Sequence, residues 1–406
     1  MRSYLQFVAT NRRFVGFGFF VAFSSSFGQT YFIGVFGPEL RAEFALSHTD
    51  WGLSYMIGTL ASACVLPWTG KLLDDVDLRK YTAVVGVALA LACAFIAIVP
   101  VGWLLVVAIF GLRQTGQGLT SHIGSTSMSR YFEHERGRAI AICALGYAVG
   151  EASLPFFADL LIDVIGWRWT YALAAIVHLL AFLPFMLWLL IGHSARHASY
   201  LARIAEQHAS GRASNSAGWT RAQVIRDPRF LVMLPGLMAP SLVLTALFFH
   251  HLNIADAKGW AHAWITGSYV LYAISTVLTS LYAGQLIDRV GATRVVPWVM
   301  LPSCAGMVLL ALSANLWVAW PYLILIGVSS GVTYTALAAL WAELYGTAHL
   351  GAIRSLAVAI TVLASGLGPV IVGGLLDFGL GVDAVLYALT VYSLLGGLLL
   401  KYSLSR

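Results

Sequence analysis

Two ionisable residues stand where apolar sequence should hold none. Arg113 lies about ten residues into the apolar run 103–127, and Glu151 about thirteen residues into the next one, 138–162. Holding such a charge at the middle of a bilayer costs roughly 2.5–3.5 kcal/mol on insertion scales, so each needs a partner or a purpose. At 1.5 Å per helical residue, Arg113 sits roughly 15 Å below one end of its helix and Glu151 roughly 20 Å above the opposite end of its own. In a hydrocarbon core about 30 Å thick these depths agree within a helical turn. Three readings stay open: a pair that parts when Glu151 takes up a proton, a static ion pair stapling two helices, and no contact. The first rests on two opposing pulls on one carboxyl, desolvation and a neighbouring cation, which hydration can tip.

Other polar side chains could line a pathway beside them. Gln117 follows Arg113 by four residues and shares a helical face with it and with Thr120, a stripe suited to a polar or anionic group. Gln29 and Tyr31 fall in the first apolar run and His122 lies deeper in the fourth. Tyr269, Tyr272 and Thr276 recur at i, i+3 and i+7, and with Tyr55, Tyr334 and Trp341 offer an aromatic lining. Tyrosine equally marks helix ends. His250 and His251 precede Asn253 and Asp256; one of them could face the pathway and titrate near neutral pH, or the pair simply marks a membrane interface. Two adjacent histidines make no metal site without further ligands, so neither metal nor cofactor is expected. Asp159, Asp163 and Asp377 lie near helix ends and need no function. Cys64, Cys93, Cys143 and Cys304 lack paired or metal-like spacing and read as small buried hydrophobes.

The elements that must hold these residues are membrane helices. Of 406 residues 59% are hydrophobic and only 10% charged, whereas a soluble domain carries about a quarter charged residues. A bilayer crossing takes roughly 20 apolar residues as helix. Twelve runs qualify, at about 14–37, 51–73, 81–99, 103–127, 138–162, 169–191, 229–251, 263–286, 295–313, 317–341, 352–376 and 382–402. Long apolar runs without alternation mean an all-α bundle, because backbone groups in lipid must bond internally. The first run is too long for a secretory signal core. The polar gap 192–228 splits the chain into a bundle over 1–191, a cytoplasmic linker, and a bundle over 229–406. With both termini inside, 20 of the Lys and Arg residues fall in inner segments and three (Arg41, Arg168, Lys258) in outer ones. The net charge of +6 is therefore a topology signal and not a nucleic-acid footprint. In the linker, Arg196, Arg203, Arg212 and Arg221 allow an amphipathic surface helix.

One unit has been used twice. GKLLDDVDLRK at 70–80 returns as GQLIDRVGATR at 284–294, an offset of 214 that also maps Tyr55, Tyr131, Gly137, Pro155 and Asp163 onto Tyr269, Tyr345, Gly351, Pro369 and Asp377. In each loop a glycine (Gly70, Gly284) lets a helix end approach its neighbour. An aspartate (Asp74, Asp288) is placed to meet free amides or nearby arginines (Arg289, Arg294). A charge cluster there can latch one conformational state. Glu151 falls opposite Ser365 and Arg113 opposite Gly327, so the chemistry is expected in the first half alone. Gly146 and Gly150 permit close helix packing, and Pro155 and Pro369 are placed to bend their helices.

Six plus six helices in a parallel repeat resemble the major facilitator superfamily over essentially the whole length. The second loop matches that family's G-x-L-x-D-R-x-G-R-[KR] signature through Gly284, Leu286, Asp288, Arg289, Gly291 and Arg294. The first keeps Gly70, Leu72 and Asp74 but has Asp75 and Asp77 for Arg and Gly. RQTGQG from Arg113 resembles the family's fourth-helix signature. Residues 131–150 and 342–377 resemble the monocarboxylate-porter and oxalate/formate-exchanger branch, although the interior of the eleventh run lacks that branch's cation. The resemblance implies a twelve-helix fold and a secondary carrier of one small organic solute, a polar or anionic metabolite. It implies proton coupling and alternating access, as a monomer in a bacterial cytoplasmic membrane. A proton-driven efflux pump for hydrophobic or cationic compounds is the alternative. No nucleotide loop, nucleophile–base set or metal-ligand spacing points to an enzyme.

Overall fold

The computed structural model describes residues 2–132, 135–200, 219–346 and 349–405. Most of the linker, with Arg203 and Arg212, lies outside the described residues. Among the described residues nine helices are long and apolar enough to cross a membrane, and the pair Gln6–Gly28 and Thr30–Phe44, bent by 45°, makes a tenth. One of the nine, Arg136–Leu189, runs 54 residues and breaks at Gly166, whose φ of 78° suits glycine, so it is two spans. The stretch 105–131 is the twelfth, α-helical at both ends with the polar run RQTGQGLT between.

In chain order the spans are α1 (Gln6–Gly28 with Thr30–Phe44), α2 (His48–Asp75), α3 (Leu78–Ala97), α4 (105–131), α5 (136–165) and α6 (167–189). The second repeat holds α7 (Pro228–Lys258), α8 (His262–Val290), α9 (Ala292–Leu312), α10 (Leu316–Tyr345), α11 (Leu350–Asp377) and α12 (Val382–Leu404). Pro155 and Pro369 both lie inside their helices. A further helix over 193–200 folds back under α1 and α4, stacking His193 on Phe14 and bonding His197 Nδ1 to the Tyr131 hydroxyl at 3.0 Å.

Two compact units result: Met1–Ile33 with Ile57–Ala213, and Gly34–Met56 with Ser214–Arg406. The α1–α2 corner thus packs in the second unit although the duplication assigns it to the first repeat. Small residues set the helix pairs in both. In the first unit α5 lies on α1, where a Cβ on Gly146 would fall 2.1 Å from Phe19 O and one on Gly150 2.1 Å from Ser26 Oγ. In the second, Gly368 of α11 meets Leu242 O of α7 at 2.2 Å in the same sense. With so little hydrophobic drive between helices in lipid, such close approach is what holds the pairs.

Candidate functional site

α1 is interrupted where its chemistry begins. Ser25–Gly28 winds into a tighter 3-10 turn, Gln29 is extended (φ −86°, ψ 154°), and the helix resumes at Thr30. Facing this break, α4 is π-helical from Arg113 to Thr120. Such widened turns cluster at functional positions. A Cβ on Gly28 would lie 2.2 Å from Leu112 O, and one on Gly116 2.7 Å from Gly28 Cα, so the two backbones touch. Arg113, 2% exposed, donates from Nη1 to Gly28 O at 3.2 Å, onto a carbonyl beside the break in α1. Tyr31 donates its hydroxyl to Ser26 Oγ at 2.8 Å, bracing the same break.

Glu151 follows Gly150, whose backbone rests on Ser26. The register of α4 against α5 is set by Tyr147 OH on Ser121 O at 3.3 Å, and by Gly124 against the Cys143 thiol. Carried along this antiparallel pair, that register puts residue 151 at about the level of residue 117 and residue 155 at about the level of residue 113. Glu151 is therefore level with Gln117, while Arg113 lies one turn along and is turned onto α1. No ion pair joins Arg113 to Glu151 among the described residues. The expected stripe of Arg113, Gln117 and Thr120 is also broken up. Thr120 Oγ1 donates to Thr115 O at 2.6 Å, five residues back along the π turn. What remains around the break are half-buried Gln29, Gln117 and Glu151, whose side chains have no hydrogen bond among the described residues.

Gln114, not singled out by the sequence, ties α4 to α2: Ser62 Oγ donates to its Oε1 at 2.9 Å and its Nε2 donates to Thr69 Oγ1 at 2.8 Å. His122 faces Gly70, whose Cβ would meet its ring at 3.7 Å.

In the second unit, His251 lies between two buried phenols, Tyr269 OH at 2.8 Å from Nδ1 and Tyr322 OH at 2.7 Å from Nε2. Tyr269 and Tyr272 are each 1% exposed and packed edge-on to Phe248, so they build this core. Tyr55 packs on Phe249 from the α1–α2 corner. Asp377 does more than end α11: it accepts from His48 N at 3.1 Å and from Thr49 N at 2.7 Å, capping α2.

Beside this core is a cavity of about 340 Å³ between α7, α9, α10 and α11. Its walls are mostly apolar (Leu237, Leu244, Ile326) with the hydroxyls of Ser330, Thr333 and Tyr334. Among the described residues Arg354 is its single charged lining residue and no carboxylate reaches it. Of the aromatic residues singled out above, Tyr334 and Trp341 line it. The small polar run SSGVTYT (329–335) in α10 is the signal that could have located it.

The loop clusters differ between repeats. Asp74 pairs with Arg130 of α4, which also donates to Leu73 O at 3.2 Å. In the second repeat Glu343 of α10 accepts from Ala292 N at 2.7 Å and Thr293 Oγ1 at 2.6 Å, with Arg294 acting on it electrostatically. Asp288 and Arg289 make no hydrogen bond or ion pair among the described residues, and nothing lies within 4 Å of a Cβ built on Gly284.

A duplicated bundle of twelve spanning helices, with polar groups gathered at helix breaks and a solute-sized cavity, defines a membrane carrier. The sequence matches the Major Facilitator Superfamily over residues 18–275 and 254–406, and the chain belongs to that family of transporters; it is not an enzyme. Its fold is similar to that of a point mutant of the nucleoside transporter NupG, at 12% identity and a TM-score of 0.76, covering 96% of this chain and 99% of that one. It is also similar to a bacterial homolog of the human lysosomal transporter Spinster, at 14% identity and a TM-score of 0.64, covering 97% and 94%. Among curated proteins none matches the sequence.

Proposed function

We propose that this protein is a proton-coupled secondary carrier for a small organic solute, working by alternating access as a monomer in a bacterial cytoplasmic membrane with both termini inside. The observation that carries the coupling is Glu151: a carboxyl within a membrane span, level with Gln117 and beside the break in α1, with no hydrogen bond or ion pair among the described residues. An intramembrane carboxylate without a partner is costly, so it is kept for use. Arg113, held on Gly28 O, positions the break, while Gln29 and Gln117 supply donors and acceptors for a solute. Protonation of Glu151 removes its charge during the transition between states.

The cavity of the second unit supports a neutral or singly anionic solute with an apolar body, hydroxyl or carbonyl groups meeting Ser330, Thr333 and Tyr334, and any anionic end meeting Arg354. This agrees with the likeness of 131–150 and 342–377 to the monocarboxylate-porter branch. The second reading, efflux of hydrophobic compounds, is favoured by the apolar share of the same walls. The asymmetric loop clusters would act as latches. Reconstituted protein tests all of this: uptake of labelled monocarboxylates, neutral polyols and lipophilic amines, with and without a pH gradient, for wild type and Glu151→Gln. Gradient dependence that survives in Glu151→Gln removes the proton role, and absence of flux for every solute removes the carrier reading.

A further inference from the structure

Four groups near the end of α7 form a chain whose hydrogens are fixed from both ends. Arg41 Nη1 donates to Asn253 Oδ1 at 3.2 Å. Arginine only donates, so the Asn253 amide turns its oxygen to Arg41 and its NH2 away. That Nδ2 lies 3.0 Å from His250 Nδ1, which must therefore accept. His250 Nε2 lies 3.1 Å from Pro369 O, a carbonyl that only accepts, so Nε2 carries the hydrogen. The chain is complete with His250 neutral and in one tautomer, and His250 is only 2% exposed.

We infer that His250 is a proton-sensitive tie: its neutral imidazole binds the α1–α2 corner to α7 and α11, and a proton arriving at Nδ1 undoes that tie. The new N–H would point at the Asn253 NH2. Turning the amide over offers His250 an oxygen but presents NH2 to Arg41, so the conflict moves along the chain without disappearing. The carboxylates of α7, α11 and α12 are already engaged, that of Asp383 with Lys258 at 2.6 Å, and on the corner Glu39 is exposed to the outside. The corner contributes Arg41 and, at the start of α2, His48, whose ring is 6.0 Å from that of His250. From α11 comes Asp377, already engaged with His48 N, Thr49 N and the Thr49 hydroxyl. On α7 itself Asp256 bonds His262 at 2.7 Å. On the α12 side are Val382, Val385, Leu386 and Leu389, around a void of about 20 Å³. His251, the other titratable neighbour, is under no such restriction. Both its partners are tyrosine hydroxyls, which can each donate or accept, so its network tolerates an added proton.

This site lies in the second unit and does not depend on Glu151 being the coupling group. The test is amide hydrogen exchange of the full-length protein in nanodiscs, reading protection of residues 37–56 after correction for chemical exchange. Between about pH 8 and about pH 5.5, a window that spans the ordinary histidine range, wild-type protection should fall about tenfold, the weight of one or two buried hydrogen bonds. His250→Gln should remove this dependence and His48→Gln should keep it. Asn253→Asp should hold protection at the lower pH, because a carboxylate accepts from Arg41 and from an imidazolium together. The inference is overturned by wild-type protection that ignores pH, by a fall that persists in His250→Gln, or by Asn253→Asp losing protection as wild type does. The Asn253→Asp and His48→Gln arms decide the matter even where His250→Gln does not fold.

Discussion

Asp77 and Glu343 cap equivalent helices from different places. Asp77 accepts from Arg79 N at 3.0 Å and Lys80 N at 3.2 Å, capping α3 from its own N-cap position. At the equivalent start of α9 the residue is Gly291, at φ 90°, and the cap arrives from Glu343 of α10. The departure of the first loop from the family signature thus has a physical reason: aspartate brings its own acceptor, whereas glycine leaves the amides open to a neighbouring helix. The duplicated loops are closed locally in one repeat and across helices in the other.

Removing either cap should cost about 1 kcal/mol, with different reach. Asp77→Ala should loosen only the start of α3. Glu343→Ala should free the α8–α9 turn from α10 as well, raising hydrogen exchange over both 288–296 and the end of α10. Equal, purely local changes in the two variants would contradict the cross-helix tie.

The touching backbones at the α1 break give a sharp contrast among glycines. Gly28→Ala and Gly116→Ala would each place a Cβ within 2.2–2.7 Å of backbone atoms, an overpacking that typically costs roughly 1–3 kcal/mol. Gly351→Ala, with nothing within 4 Å, should leave the melting temperature unchanged or raise it slightly. Fluorescence-detected thermal unfolding in detergent reads the difference, and a Gly116→Ala protein as stable as wild type would mean the break is not pinned there.

Much of this architecture was legible in the chain itself. Apolar runs, the 214-residue echo and the cation count are one-dimensional signals, and together they mark out twelve spans. The depths of Arg113 and Glu151 also follow from rise per residue alone. Their facing directions do not. The π turn over Arg113–Thr120 widens the helix and rotates Arg113 onto Gly28, while SSSFGQ carries little sign that α1 stops there. The cavity of the second unit was no more legible. Ser330 and Thr333 are ordinary residues one at a time and become a cavity wall only when α7, α9 and α11 surround them.

That cavity predicts a clean separation between stability and transport. Thr333→Trp would fill a large part of about 340 Å³ within the second unit. Uptake should drop at least tenfold while the unfolding temperature changes little. Arg354→Gln should weaken uptake of anionic solutes and spare neutral ones, read as a rise in KM at constant kcat. Full transport by Thr333→Trp would place the solute elsewhere.

Acid sensitivity should concentrate at the helix over 193–200. Burial among Phe14 and Tyr131 pulls the His193 imidazole down to about 4, against a weaker opposing pull from Asp77. The folded value lies below the ordinary one of about 6.5, so folding favours the neutral ring. Its stabilising contribution is complete above about pH 6.5 and is lost progressively as pH falls towards 4, because the unfolded chain then binds the proton first. His193→Phe keeps the stacking on Phe14 but cannot titrate. Its unfolding temperature should therefore fall less than that of wild type between about pH 6.5 and pH 4.5. Parallel curves for the two proteins would show that His193 does not set the acid response of this end of the bundle.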